Sequence, residues 1–229
     1  MQEQESRATA YTTVADGQDV RHVIEVKRSR FITVLRRAGS EGAARDLVSE
    51  LRREFHDARH HCSAFVLGPD RDIQRSNDDG EPSGTAGIPM LEALIKRETA
   101  PGVTDLSDAT AVVVRYFGGI LLGAGGLVRA YSESVSSALD LAPLVRRSRL
   151  RICSAAVPHT SAGRLENDLR AAGFVMAETS YGALDTVLRL ALPDDPLEIS
   201  AATERLLSLT AGSAELKPGG TEWIDVPLP

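Results

Sequence analysis

Apolar and polar positions alternate along the early part of the chain, as they do in β-strands with one buried face. One alternating run covers Val20 to Val26 and a second covers Phe31 to Leu35. A basic cluster lies between the two runs, consisting of Lys27, Arg28 and Arg30. The spacing predicts a β-hairpin with this cluster at its turn.

The pattern then changes between helical and strand periods up to Pro143. Apolar residues from Ala44 to Phe55 recur at spacings of three and four after Ser40, which predicts a helix with Ser40 as N-cap. The remaining predicted elements are a strand at 60–67 with a pairing segment at 71–76, a helix opened by Pro89, a strand at 109–117, and a helix with Leu127 and Leu139 on one face. Mixed helices and strands of this kind indicate an α+β domain.

The pattern starts again after Pro143. It predicts a strand at 149–157, a helix stopped by Gly173, two strands at 174–181 and 184–192, a helix capped by Asp195 and Pro196, and a last strand at 223–226. This β-α-β-β-α-β order is that of a ferredoxin-like domain.

A length of 229 residues favours two hydrophobic cores rather than one. We therefore expect a loose arm at residues 1–18 with a short extended piece at Tyr11–Val14, a first domain at 19–143 and a second at 144–229. No run of about 18 apolar residues is present, and the first residues lack the pattern of a signal peptide, so a cytoplasmic protein without membrane partners is expected. Cys62 and Cys153, the only cysteines, fall in different predicted domains and predict no disulfide framework.

The net charge of −6 argues against a domain that binds nucleic acid through a basic surface along its whole length. Acidic residues outnumber basic ones on both sides of Pro143. Any site for RNA must therefore be local, and we expect no DNA specificity.

The most unusual segment of the chain is the glycine-rich passage between Arg115 and Arg129. It lacks the Lys-Ser/Thr pair of a phosphate-binding P-loop, and Val128 stands where a dinucleotide fingerprint requires a third small residue. What remains is a strand, a turn and a helix start whose glycines are Gly118, Gly119, Gly123, Gly125 and Gly126. Unpaired backbone N–H groups in such a turn can hold an anion. The alternative is a tight turn in which the glycines serve only backbone geometry.

Two arginines flank this turn. Arg115 interrupts an apolar strand on the face of Val113, and Arg129 is expected in the first helical turn, where the helix dipole disfavours a cation. A buried guanidinium requires a negatively charged partner. That partner is a ligand anion or the acidic loop formed by Asp78, Asp79 and Glu81, and the two can coexist.

Metal and nucleophile sites have weaker support. The three acidic-loop carboxylates could instead gather Mg²⁺ under an enzyme hypothesis, although no other cofactor is indicated. The zinc-type side chains His56, His60, His61 and Cys62 lack a suitable spacing, so no metal site is assigned. Ser83 has no local base, and no catalytic residue is assigned.

Four segments together resemble the N-terminal domain of the IMPACT/YigZ family: VKRSRFI, HHCSAFVLG, DDGEPSGTAG and VVVRYFGGILLGAGGLVRAYS. HTSAGRLENDL and the second β-α-β-β-α-β unit are similar to the C-terminal domain of the bacterial two-domain form. The side chains that match the family motifs are Lys27, Arg30, Asp79, Glu81, Arg115, Tyr116 and Arg129.

The resemblance implies a first domain similar to the second domain of small-subunit ribosomal protein five and a second domain similar to a terminal domain of elongation factor G. It also implies a link to translation or its regulation, without an established catalytic cycle. We expect a binding protein for RNA, ribosomes or a translation factor. The alternatives are an enzyme acting with Mg²⁺ on a small phosphorylated or nucleotide-like substrate, and a protein-interaction module that uses the ferredoxin-like half.

Overall fold

A computed structural model describes residues 7–228 of the chain. The chain divides into two compact units between Arg146 and Arg147, with the second unit ending at Pro227. The sequence placed this division at Pro143, a few residues earlier. Among the described residues, no helix is long and apolar enough to cross a membrane.

The first unit contains a five-stranded antiparallel sheet with the order β2-β3-β6-β4-β5. Its strands and helices are β1 (Ala10–Val14), β2 (Val20–Val26), β3 (Ser29–Arg37), α1 (Glu41–Glu54), β4 (His60–Leu67), β5 (Ile73–Asn77), α2 (Gly87–Ile95), β6 (Ala109–Tyr116) and α3 (Ala124–Leu141). The central strand β6 is buried from Ala109 to Arg115, because helices cover both faces of the sheet. Such burial explains why this strand reads as a continuous apolar run.

Different helices cover the two faces. Leu47 and Leu51 of α1 pack on one face of β3 and β6. Helices α2 and α3 cover the other face, where Met90 and Tyr131 join the largest core cluster. Alternate residues of β6 therefore point to opposite sides of the unit.

The predicted hairpin forms, but its turn is tighter than expected. Lys27 and Arg28 are the two turn residues, with φ angles of 46° and 65°. Positive φ at both central positions is characteristic of a type I′ turn, which matches the twist of the strands that it joins. Arg30 belongs to β3 rather than to the turn and pairs with Tyr116 of β6.

The short extended piece predicted at Tyr11–Val14 is strand β1, and it is held in place more firmly than a loose arm would be. Tyr11 and Val14 of β1 are buried, and the Ala15 N–H donates to the carbonyl of Pro143 at 2.8 Å. The Ser107 N–H donates to the Thr12 carbonyl at 2.9 Å. Long-range contacts of this kind cannot be read from a five-residue strand with little periodicity.

The second unit has the predicted ferredoxin-like organisation. Its elements are β7 (Leu144–Val157), which begins just before the division, α4 (His159–Ala171), β8 (Val175–Met176), β9 (Ser180–Tyr181), β10 (Thr186–Leu192), α5 (Pro196–Leu209) and β11 (Lys217–Val226). β11 pairs with β7, β7 with β10, and β10 with both β8 and β9. The mixed α+β class is therefore confirmed.

Local signals in the second unit have mixed outcomes. Asp195 caps α5 by accepting the Leu197 N–H at 2.8 Å, and Gly173 adopts φ 90° after α4, as predicted. The long strand expected at 174–181 consists instead of the two short strands β8 and β9, and β11 begins at Lys217 rather than Trp223. Gly219 and Gly220 gave no strand signal because strand propensity counts glycine as unfavourable.

Candidate functional site

The acidic loop, the end of β6 and the start of α3 meet on the α2–α3 face of the first unit. Asp78, the first carboxylate of the loop, accepts N–H groups from Gly84, Ala86 and Gly87 at 2.8, 3.0 and 2.8 Å. Ala86 precedes α2 and has no side-chain oxygen, so Asp78 caps this helix from eight residues upstream. Burial raises the pKa of the Asp78 carboxyl, but the three N–H groups more than offset this effect and leave the pKa below its usual value.

Asp79 fastens the loop to α1 and β4. It forms an ion pair with Arg52 of α1 and accepts the His61 N–H at 2.6 Å. Its own φ of 44° lies in the left-handed region. Burial and the nearby Arg52 lower the pKa of His61, so the 3.9 Å contact between Asp79 and the His61 ring is not an ion pair at neutral pH.

The side chain of Glu81, the third carboxylate of the loop, is buried in the core of the first unit. Its Oε1 accepts the Arg115 Nη1–H at 2.5 Å and the Tyr131 hydroxyl at 2.8 Å. The Arg115 and Glu81 side chains are only 7% and 3% exposed. A neighbouring carboxylate is thus a partner of the buried Arg115, as one of the two sequence-based alternatives requires.

The core beneath this ion pair is also hydrogen-bonded. The Cys62 thiol contacts the Asp78 carbonyl at 3.0 Å and the Tyr131 hydroxyl at 3.3 Å. Burial raises the pKa of Cys62 to about 12 and likewise raises that of Tyr131. Both groups stay protonated at neutral pH, and Cys62 is not a nucleophile.

Arg129 lies apart from this network. Because α3 begins at Ala124, Arg129 belongs to the second turn rather than the first, where the helix dipole has a smaller effect. Its side chain is exposed, and it has no ion pair with the acidic loop in the described part of the chain.

The predicted glycines have different structural roles. A Cβ on Gly118 would lie 2.0 Å from the carbonyl carbon of Arg28, so this position admits only glycine against the hairpin turn. Gly119 and Gly123 adopt φ angles of 84° and 72°. Gly125 faces open space, and a Cβ on Gly126 would approach only the Leu122 side chain. Backbone geometry therefore explains three of the five glycines.

The predicted binding side chains separate onto two faces of the sheet. Arg115 points to the α2–α3 side, whereas Tyr116 packs with the α1 cluster. Arg30 stacks on the Tyr116 ring at 4.7 Å, and the Tyr116 hydroxyl donates to Asp57 at 2.6 Å.

Arg115 on one face, and Arg30 with Tyr116 on the other, lie at the same end of the sheet, which we call the basic end. The hairpin turn, the start of β4 and the end of β6 meet there, since Arg30 is opposite Tyr116 and His60 is opposite Arg115. Its exposed cations are Lys27, Arg28, Arg30 and Arg59, and the ring of Phe117 is exposed beside them. Two exposed carboxylates also lie there: Glu25 is opposite Arg30 in the hairpin, and Asp57 is near Arg30. Within residues 7–228, none of its four cations forms an ion pair with a carboxylate. Several other arginines of the unit form ion pairs, including Arg21, Arg36, Arg52 and Arg97. Among the described residues, Arg53, Arg75 and Arg129 are exposed and form none.

Next to the basic end, a cavity of about 360 Å³ lies between Arg115, Phe117 and the first residues of α3. Its apolar wall is formed by Pro82, Phe117, Leu121, Leu122 and Leu127. We call it the α3 cavity. Leu121 is 82% exposed, so the loop before α3 presents apolar side chains to solvent.

Sequence reasoning missed Arg59, Phe117 and Tyr131. Arg59 directly precedes β4, and nothing in its sequence position indicated a binding role. Tyr131 was interpreted only as part of the apolar face of a helix. Phe117 directly precedes two glycines. This position at the start of a turn could have indicated that its ring is exposed.

The metal alternatives gain no support from this arrangement. Asp79 and Glu81 are each bound to different cations and point to different neighbours. Among the described residues, no group of three or more His, Cys, Asp or Glu side chains is placed to hold a metal ion.

These features define the class of protein: a two-unit α+β chain in which a glycine-rich turn lies over a buried Arg–Glu pair, followed by a ferredoxin-like unit. The family model of the Impact N-terminal domain matches residues 27–139. The IMPACT family member YvyE of Bacillus subtilis (strain 168) is 39% identical over 219 residues, which cover 94% of both chains. YigZ of Escherichia coli (strain K12) is 39% identical over 196 residues, covering 85% of this chain and 91% of that protein.

A solved structure described as the crystal structure of a hypothetical protein is also similar. It has a TM-score of 0.58 and 36% identity, and the match covers 91% of this chain and 97% of that one. The chain belongs to the IMPACT family.

Proposed function

We propose that this protein binds single-stranded RNA at the basic end of its first unit, in the service of translation or its regulation. The observation that carries the proposal is a set of four exposed cations beside the half-exposed ring of Phe117, none of which forms an ion pair with a carboxylate among the described residues. Proteins that bind single strands combine cations for the phosphates with aromatic rings on which bases stack.

The net charge of −6 is compatible with such a site because four exposed cations lie together at one end of one sheet. Several arginines elsewhere in the unit are neutralised by neighbouring carboxylates, as in the pairs of Arg36 with Asp19 and Arg97 with Asp140. Only a short stretch of backbone can therefore be contacted. The expected affinity is modest and strongly dependent on salt.

Arg115 has a different role in this proposal from the one its sequence position suggested. Its guanidinium lies 5.7 Å from the centre of the Phe117 ring and is neutralised by Glu81. It supports the ring from below and does not contact phosphate.

The test uses a labelled single-stranded RNA and fluorescence anisotropy across a range of salt concentrations. The double variant K27N/R28G removes two charges, and Asn-Gly is the preferred pair for a type I′ turn, so the hairpin should remain intact. Affinity should fall and the slope of log K against log salt should become shallower by about 1.4, because each phosphate contact contributes about 0.7 for a single strand.

The variant F117A should weaken binding by about tenfold, as expected for the loss of one stacked base. A matched control, R205Q/K217Q, removes two exposed charges from the second unit and should leave both affinity and slope unchanged. Equal binding by K27N/R28G and the parent protein would refute the proposal.

A further inference from the structure

The α3 cavity has a feature that RNA binding does not use. The helix that borders it starts with no polar side chain: Gly123 is the N-cap residue, and the first turn contains no acidic residue. The N–H groups of Gly126 and Leu127 donate to the Gly123 carbonyl at 3.1 and 2.9 Å. These two groups are therefore satisfied, and the N–H groups of Ala124 and Gly125 remain available at the start of this 18-residue helix, together with the partial positive charge of the helix dipole.

A second polar group lines the same cavity. The Arg115 side chain is 7% exposed and contributes to the cavity wall. Its Nη1 donates to Glu81, but its buried Nε has no hydrogen-bond partner in the described chain. A buried donor without a partner carries a free-energy cost that a ligand oxygen would remove.

The rest of the wall is apolar. Pro82, Leu121, Leu122 and Leu127 surround the helix start, and the cavity volume of about 360 Å³ is in the lower range for small-molecule sites. The cavity thus combines one small polar end with an apolar body.

The charge balance indicates what kind of polar group fits. Glu81 already neutralises Arg115, so the remaining positive character comes from the helix start and from Arg59 at the rim. A single negative charge matches this field better than the double charge of a phosphate monoester, which would face the Glu81 carboxylate with little compensation.

We propose that the α3 cavity binds a small monocarboxylate with an apolar body, whose carboxylate lies between the N-terminus of α3 and the Arg115 guanidinium. Phe117 covers the guanidinium and must turn outward to admit the ligand. Its side chain is 50% exposed, so solvent is available for this movement. Side-chain rotations of this size are common on binding.

The probe is 4-phenylbutyrate, compared with its neutral amide and with phenyl phosphate by calorimetry and by the change in melting temperature. The carboxylate should bind, and it should raise the melting temperature progressively, with the logarithm of its concentration once this exceeds the dissociation constant. The amide should bind at least about tenfold more weakly because it lacks the charge. Equal binding of acid and amide, tighter binding of phenyl phosphate, or no binding of the acid would each overturn the proposal.

Gly125 offers a matched pair of variants in the first turn of α3. A Cβ there meets no atom within 4 Å, so both G125A and G125D should fold. An aspartate at this position supplies an internal anion that suits the helix start, so the melting temperature of the free G125D protein should equal or exceed that of the parent. It should nevertheless bind 4-phenylbutyrate about tenfold more weakly, whereas G125A should bind within about threefold of the parent.

Equal binding by G125D and G125A would show that the helix start is not the site and would overturn the proposal. K27N/R28G, which tests RNA binding, should keep full affinity for 4-phenylbutyrate. The two sites share Arg59 and Phe117. K27N/R28G and G125D each change only one of them, so a failure of one proposal can be told from a failure of the other.

Discussion

Arg115 on β6 and Glu81 in the acidic loop form an ion pair of 2.5 Å that is almost completely enclosed by the first unit. The pair connects the start of the glycine-rich passage with the acidic loop. The centres of the Phe31 and Phe117 rings lie 5.4 and 5.7 Å from the guanidinium carbon of Arg115. These aromatic rings help to exclude water from the guanidinium.

Removing Glu81 should strongly destabilise the protein. In E81A the Arg115 charge would remain buried without a partner, and Tyr131 would lose its acceptor, so the free energy of unfolding should fall by about 3–5 kcal/mol. Urea unfolding followed by circular dichroism measures this change. E92A, which removes an exposed carboxylate paired with Lys96, should cost no more than about 0.5 kcal/mol. Similar losses for the two variants would contradict the structural role given to Glu81.

Asp78 should make stability depend on pH in the acidic range. The pKa of its carboxyl is lowered in the folded protein, so the carboxylate stabilises the fold above the unfolded value of about 3.9. This contribution is lost as the pH falls through the lower, folded pKa. D78A should reduce the free energy of unfolding by about 2–4 kcal/mol at pH 7, because three N–H groups lose their acceptor.

The difference between D78A and the parent protein should shrink as the pH is lowered from 5 towards 3, measured by urea unfolding at each pH. D46A, which removes an exposed carboxylate from α1, serves as the control for a change of one charge. A difference for D78A that stays constant down to pH 3 would contradict the capping role.

Both thiols should be unreactive in the folded protein. Cys62 and Cys153 are buried, and burial raises the pKa of Cys62 to about 12 and also raises that of Cys153. A thiol reagent at pH 8 should therefore modify neither cysteine until denaturant is added, and then both. Rapid modification of Cys62 in the native protein would show that the core beneath the acidic loop opens readily.

Gly118 should not tolerate a side chain. A Cβ at this position would overlap the backbone of the hairpin turn at Arg28, and backbone atoms cannot move aside cheaply. G118A should lower the free energy of unfolding by about 3 kcal/mol or more. G163A, at an open position in α4, should raise it by about 0.5–1 kcal/mol because alanine favours the helix. Thermal unfolding of both variants checks the contrast, and an unchanged G118A would disprove the close contact.

Local patterns were sufficient to predict most of the regular elements. The hairpin at β2 and β3, the Ser40 cap, the strand β6 and the Asp195 cap depend on neighbours within a few residues, and they are found close to the predicted positions. The distant residues that hold two other elements in place were not predicted. β1 is held by Pro143 and Ser107, and α2 begins two residues before Pro89 because Asp78 caps it from across a loop.

The candidate site also combines features that the sequence predicted with features that only the tertiary structure showed. The sequence identified Arg115, the acidic loop and the glycine-rich turn as one region, and it established that a buried arginine needs a negative partner, because desolvation acts on a residue wherever its strand is buried. It could not choose among Asp78, Asp79 and Glu81, since all three have the same chemistry within four residues. Only the tertiary structure assigned them to the α2 cap, to Arg52 and to Arg115 respectively.

Composition and periodicity by themselves therefore determined that this chain forms α+β units, the second ferredoxin-like, with no basic surface along its length. The tertiary structure decided which cations are left unpaired. Ion pairing depends on distances of a few ångströms between residues far apart in the chain, and strand pairing brings Lys27, Arg28, Arg30 and Arg59 to one sheet end while it places Arg115 against Glu81.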